Sequence, residues 1–127
     1  MKIRPFLFFL LFLPLLFAFS ERQTTAVVEW LTPIEHDFGD LEKGKPVHFT
    51  FRMRNLSNEP QVIDNVRTAC GCTAPSWSPE PIPPDSTAAI DVEYDARDDG
   101  YFRRYVKVYL SGQRKAEKLW IEGYVME

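Results

Sequence analysis

From residue 47 onward the chain alternates apolar and polar side chains with a period of two, and nothing beyond residue 20 repeats with the spacing of a helix. Val47, Phe49, Phe51 and Met53 interleave with His48, Thr50, Arg52 and Arg54. Ala88, Ile90, Val92 and Tyr94 interleave with Ala89, Asp91, Glu93 and Asp95. The same pattern returns in Val106, Val108 and Leu110, and again in Leu119, Ile121, Gly123 and Val125. Successive side chains of a strand point to opposite faces, so each run predicts a strand with one face buried and one wet. Val27 to Trp30, the residues around Phe38, and Val62 to Val66 predict shorter strands. The total of about seven predicts an all-β fold, an Ig-like antiparallel β-sandwich with Greek-key connections.

The connections carry turn chemistry. Glu42-Lys43-Gly44-Lys45-Pro46 and Asn55-Leu56-Ser57-Asn58-Glu59-Pro60 supply glycine, and side chains that bond their own backbone. Asp98-Asp99-Gly100 and Ser111-Gly112-Gln113 predict two more turns. Pro75, Pro79, Pro81, Pro83 and Pro84 crowd one segment and cannot donate ladder hydrogen bonds. That segment is expected to be an extended loop crossing one end of the sandwich.

The beginning of the chain predicts export. Lys2 and Arg4 precede an apolar run from Pro5 to Phe19, and Ala18-Phe19-Ser20 offers small residues for cleavage. A retained membrane anchor needs about 20 apolar residues, and Pro14 interrupts this shorter run. Residues 1–20 are therefore expected to be a signal peptide and 21–127 a single domain, periplasmic or extracellular after cleavage, with no transmembrane span. Without Lys2 and Arg4 the formal charge falls from −3 to −5. Such a charge argues against a nucleic-acid partner, which would want a basic stripe, and none is expected.

Both cysteines lie in one block, Cys70-Gly71-Cys72-Thr73. In an extended backbone their Cα atoms would be about 6.6 Å apart, near the upper limit of disulfide geometry, a gap that Gly71 is expected to close. A bridge over one residue closes a tiny ring, so it would add little loop entropy and reduce readily. Buried thiols acting as small hydrophobes are the other structural reading. Two thiolates also suit Cu(I) better than zinc, which wants four ligands when only His36 and His48 remain as nitrogen donors. Thiol exchange is a further alternative, although the familiar redox pair has two intervening residues at a helix start.

The order of several short motifs resembles a family. His36-Asp37-Phe38-Gly39, a basic glycine-containing turn, Asn55 to Pro60, Cys70-Gly71-Cys72-Thr73 followed by prolines, and Gly100 ahead of a strand together resemble the bacterial domain of unknown function 1573. The resemblance implies an Ig-like sandwich similar to ciliary and sperm-protein domains, in an exported protein. The chain departs from the family's pattern at Ser57 and at Pro84-Asp85, where the family usually has glycine.

No nucleophile elbow, phosphate loop, metalloprotease helix or calcium loop occurs, so no catalysis is expected. His36 is expected to be a hydrogen-bonded residue at a strand edge, and the outward Asp91, Glu93 and Asp95 a solvated face. If the last two strands form a hairpin, Tyr105 and Tyr109 share a face with Trp120 and Tyr124, and Lys107 is expected to pair with Glu122. Contiguous exposed aromatics are common anchors of recognition. The expected function is binding of a protein or cell-envelope partner through these rings. The alternative is a Cu(I)-binding or thiol-redox module built on Cys70 and Cys72.

Overall fold

The computed structural model of the 127-residue chain describes residues 26–127. The expected signal peptide, residues 1–20, lies outside the described residues. Eight strands follow in order: β1 (Val28–Trp30), β2 (Glu35–Glu42), β3 (Val47–Asn55), β4 (Ile63–Thr68), β5 (Thr73–Trp77), β6 (Thr87–Tyr94), β7 (Gly100–Leu110) and β8 (Glu117–Met126). They form two four-stranded sheets, β1-β3-β6-β5 and β2-β8-β7-β4. The chain stays in one sheet only at the β5–β6 and β7–β8 hairpins and changes sheet at every other connection.

The alternation does what its period implies. On β3, Phe51 and Met53 are buried while Arg52 is exposed, and on β6 Ile90, Val92 and Tyr94 are buried. From the other sheet come Phe102, Val106, Val108 and Leu110 of β7 and Leu119, Ile121 and Val125 of β8. Phe102 lies flat on Tyr94 with ring centroids 3.8 Å apart, joining the two inner faces. Packing of this kind makes each buried Leu, Ile, Met or Phe worth about 2–5 kcal/mol against truncation to alanine.

Two particulars differ from the sequence expectation. The first proline-rich residues are not loop: Thr73–Trp77 is an eighth strand, with Pro75 opposite Val92 of β6. β5 is the outermost strand of its sheet, so the missing N–H of Pro75 leaves no ladder bond unmade. The second difference is direction. β2 runs parallel to β8, with Glu35 opposite Trp120 and Glu42 opposite Met126. The sandwich is therefore antiparallel except at this edge.

The register of β2 slips between Asp37 and Asp40, and the His36-Asp37-Phe38-Gly39 motif is the slip. Asp37 accepts the Gly39 N–H at 2.8 Å, and Gly39 takes φ +70, which favours glycine. A Cβ added to Gly123 would lie 3.0 Å from the Gly39 carbonyl and 3.0 Å from Phe102. His36 turns inward and stacks on Phe49 at 3.8 Å, with Phe38 edge-on at 4.6 Å. It sits at a strand edge, as expected, but ring stacking rather than a hydrogen bond secures it. Burial holds its imidazole below the usual range, with Asp37 opposing the shift.

Asn55 ends β3 and organises the turn after it. Its Nδ2 donates to the carbonyls of Glu59 (2.8 Å) and Ile82 (2.9 Å). Its Oδ1 accepts the N–H (2.9 Å) and hydroxyl (2.7 Å) of Ser57. The amide thus spends both donors and its acceptor within the fold. Ser57, where the resembling family turns on glycine, is tied in through its own hydroxyl. Asp85, the other departure, adopts φ +62 in the turn that closes with Ser86 N–H donating to the Pro83 carbonyl at 3.1 Å.

Candidate functional site

The two cysteines form a disulfide with Cα atoms 5.2 Å apart. The approach comes from a turn: Thr73 N–H donates to the Cys70 carbonyl at 3.3 Å, and the Thr68 hydroxyl donates to the same oxygen at 3.0 Å. Asp95 N–H reaches the Cys72 carbonyl at 3.0 Å and pins the corner to the end of β6. Gly71 is not what closes the gap. It has no positive φ, and a Cβ there would meet nothing within 4 Å. With the sulfurs joined, neither is a thiolate, so Cu(I) binding would require the reduced pair, whereas the bridge itself is the oxidised partner in thiol exchange. Among the described residues no group of three or more His, Cys, Asp or Glu could hold a metal ion. His48 instead faces outward beside Asp91, 2.9 Å from its carboxylate.

This corner opens a cleft. The β4–β7 ladder ends with Thr68 opposite Val106, because the chain then leaves for the other sheet through the disulfide turn. N-terminal to Val106, β7 has no ladder partner on that side among the described residues. A cavity of about 390 Å³ occupies the space, lined by Cys70, Thr73, Arg103, Arg104 and Tyr105 among others. A second depression of about 230 Å³ continues it along β4, between Arg67, Tyr105, Lys107 and Tyr109.

The aromatic residues lie on the outer face of the β2-β8-β7-β4 sheet, but not as one patch. Tyr105 is directly opposite Trp120, and their rings meet edge-on at 5.2 Å. Tyr109 lies further along β7, opposite Asn65 of β4, with the Arg67 guanidinium 5.5 Å from its ring. Tyr124 is at the other end, opposite Tyr101. Lys107 does not pair with Glu122, because the register places it opposite Lys118. Glu122 faces Arg103 at 3.5 Å and accepts the Tyr101 hydroxyl at 2.7 Å. That bond pushes the Tyr101 phenol up. Arg103 also bonds Glu35 at 2.9 Å and lies 4.4 Å over the Trp120 ring.

Sequence reasoning missed Tyr101, the most exposed large apolar residue described at 65 %, with Tyr124 at 51 % and Met126 at 45 % beside it. The signal was available: extending the β7 alternation back from Tyr105 through Arg103 reaches Tyr101 on the same face. Arg67 and Lys118 were missed for another reason, since their adjacency to Lys107 depends on the register of three strands.

Sheets ordered β1-β3-β6-β5 and β8-β7-β4 match the ABED and CFG sheets of the immunoglobulin sandwich, with β2 added beside β8. The fold is thus that of an Ig-like domain. By its match over residues 30–125, the chain belongs to the protein family of unknown function DUF1573. It is similar in structure to a protein of unknown function from Porphyromonas gingivalis W83 (TM-score 0.66, 15 % identity), covering 77 % of this chain and 46 % of that one. The chain therefore spans about half the length of that relative. It also resembles the ASH/PapD-like domain 7 of human CEP192 (TM-score 0.64, 12 % identity, 80 % and 86 % coverage). A further likeness is to the VesB protease of Vibrio cholerae (TM-score 0.63, 13 % identity), covering 79 % of this chain but only 32 % of the protease. At these identities the likeness shows the fold alone. No functionally curated protein matches the chain. No helix among the described residues is long and apolar enough to cross a membrane.

Proposed function

We propose that the protein is an exported, non-catalytic binding domain that contacts a protein partner of the cell envelope through the outer face of β7 and β8. The supporting observation is the row of rings on that face, ending in the exposed group Tyr101, Tyr124 and Met126. Large exposed aromatics on a rigid sheet lose little side-chain freedom on contact, which makes them effective anchors. Export is supported by the basic and apolar character of residues 2–19. The alternative is a Cu(I)-binding or thiol-redox module built on Cys70 and Cys72, of which the first needs their bridge reduced and the second starts from it.

The test is a photocrosslinking residue at Tyr124 in the exporting host, compared with one at Arg52 on the opposite sheet. A discrete protein adduct from Tyr124 alone is expected, and equal adducts from both positions, or none, would refute the assignment. Mass spectrometry of the periplasmic or secreted fraction should find the chain beginning near Glu21, whereas an intact leader would refute export.

A further inference from the structure

Three basic residues stand side by side across three strands of an otherwise acidic protein. Arg67 of β4 is directly opposite Lys107 of β7, and Lys107 is directly opposite Lys118 of β8. Like charges in facing positions destabilise a sheet, and among the described residues none of the three forms an ion pair with a carboxylate. Their neighbours are rings: Lys107 and Lys118 lie 5.6 and 5.2 Å from the centre of Tyr105. Arg67 and Lys107 line the depression along β4, which continues into the cleft beside Cys70. Arg104, opposite the buried Ile121, is on the inner side of β7 and lines only the cleft, so it is not part of the row.

We propose that this trough, from Lys118 across Lys107 and Arg67 to the cleft beside Cys70, is the docking site for an extended acidic polypeptide segment of the partner. The proposal rests on the reading of the β7–β8 face as a contact surface and supplies the chemistry that face recognises. Carboxylates of such a segment would relieve the repulsion the row carries alone. A polypeptide is favoured over an acidic polysaccharide for two reasons. Beside the cleft, β7 has no ladder partner, so its backbone groups face the site and suit another backbone. The rings, meanwhile, are faced by the protein's own cations, which leaves them poorly placed to stack on sugars.

The experiment measures binding of a fluorescein-labelled oligo-glutamate to the purified domain by anisotropy at low ionic strength. It needs no knowledge of the natural partner, so it can fail while crosslinking from Tyr124 succeeds, and the reverse. Arg67→Gln, Lys107→Gln and Lys118→Gln together should weaken binding about tenfold. The loss should shrink at high salt, where the attraction is screened. The same variant should melt at or above the temperature of the parent, because facing like charges have gone. A control carrying Arg52→Gln and Lys115→Gln removes two exposed charges elsewhere and should bind like the parent. Equal binding by the triple variant, equal loss in the control, or a melting point lowered by more than about 5 °C would overturn the proposal. So would tighter, row-dependent binding of dextran sulfate or of phosphatidylglycerol vesicles, which would assign the trough to a polysaccharide or a membrane.

Discussion

Replacing Asn55 by alanine removes four hydrogen bonds at once from a side chain that is 1 % exposed. A hydrogen bond contributes about 0.5–1.5 kcal/mol net, but the four are not equal. Glu59 and Ser57 lie near solvent and recover part of their loss from water, while the Ile82 carbonyl keeps the Gln61 N–H at 3.0 Å. Adding the empty volume left in a packed site brings the expected cost to about 2–4 kcal/mol. For a domain of this size that lowers the melting temperature by roughly 10–20 °C. Urea unfolding followed by tryptophan fluorescence should show a lower midpoint at unchanged slope.

Asn55→Asp sharpens the test, because it keeps the shape and the acceptor but loses the amide donors. Its carboxylate would face two carbonyl oxygens, so the folded state would raise its pKa. With the folded pKa above the unfolded one, the deficit is small at acid pH and grows as pH rises through the folded value. An alanine variant within about 1 kcal/mol of the parent, or an aspartate variant no worse at pH 7 than at pH 4, would refute the idea that this network holds the 55–61 turn.

Gly71→Ala should change stability by less than about 0.5 kcal/mol, whereas Gly123→Ala, facing the Gly39 carbonyl and Phe102, should cost about 1–3 kcal/mol; equal effects in thermal melts would refute the distinction. Replacing Cys70 and Cys72 together by serine should cost under about 2 kcal/mol, below the usual loss for a secreted domain. The ring is tiny, and three backbone carbonyl bonds also secure the corner; failure of the double variant to fold would refute this. In an NMR titration His48 should titrate above 6.5, raised by its hydrogen bond to Asp91, and His36 below it, lowered by burial. The contribution of His48 is complete below the unfolded pKa of about 6.5 and is lost as pH rises through the folded value. That of His36 is complete above about 6.5 and is lost as pH falls toward its lowered value. Coincident titrations would refute both environments.

The fold class and most of the strands can be read from the order of residues alone. A period of two depends only on which side chains water rejects, so β3, β6, β7 and β8 and their inward faces were legible without any partner strand. Turn chemistry is equally local, and it exposed the Asn55–Pro60 and Gly100 connections and the order of motifs that marks the family. Everything that depends on register was left to the tertiary structure. Pro75 forbids an interior strand but not an outermost one, so β5 became visible only once its place at the sheet edge was known. The parallel course of β2 beside β8 is likewise a matter of which edge the strand reaches after changing sheet. The site shows the same division. Tyr105, Tyr109, Trp120 and Tyr124 share a face, as alternation requires, yet a shift of two residues in register decides which of them touch. That register set Tyr105 on Trp120 and sent Tyr109 and Tyr124 to opposite ends. It also put Lys107 between Arg67 and Lys118, because strand pairing joins residues about 40 and 10 positions apart in sequence that no local pattern connects.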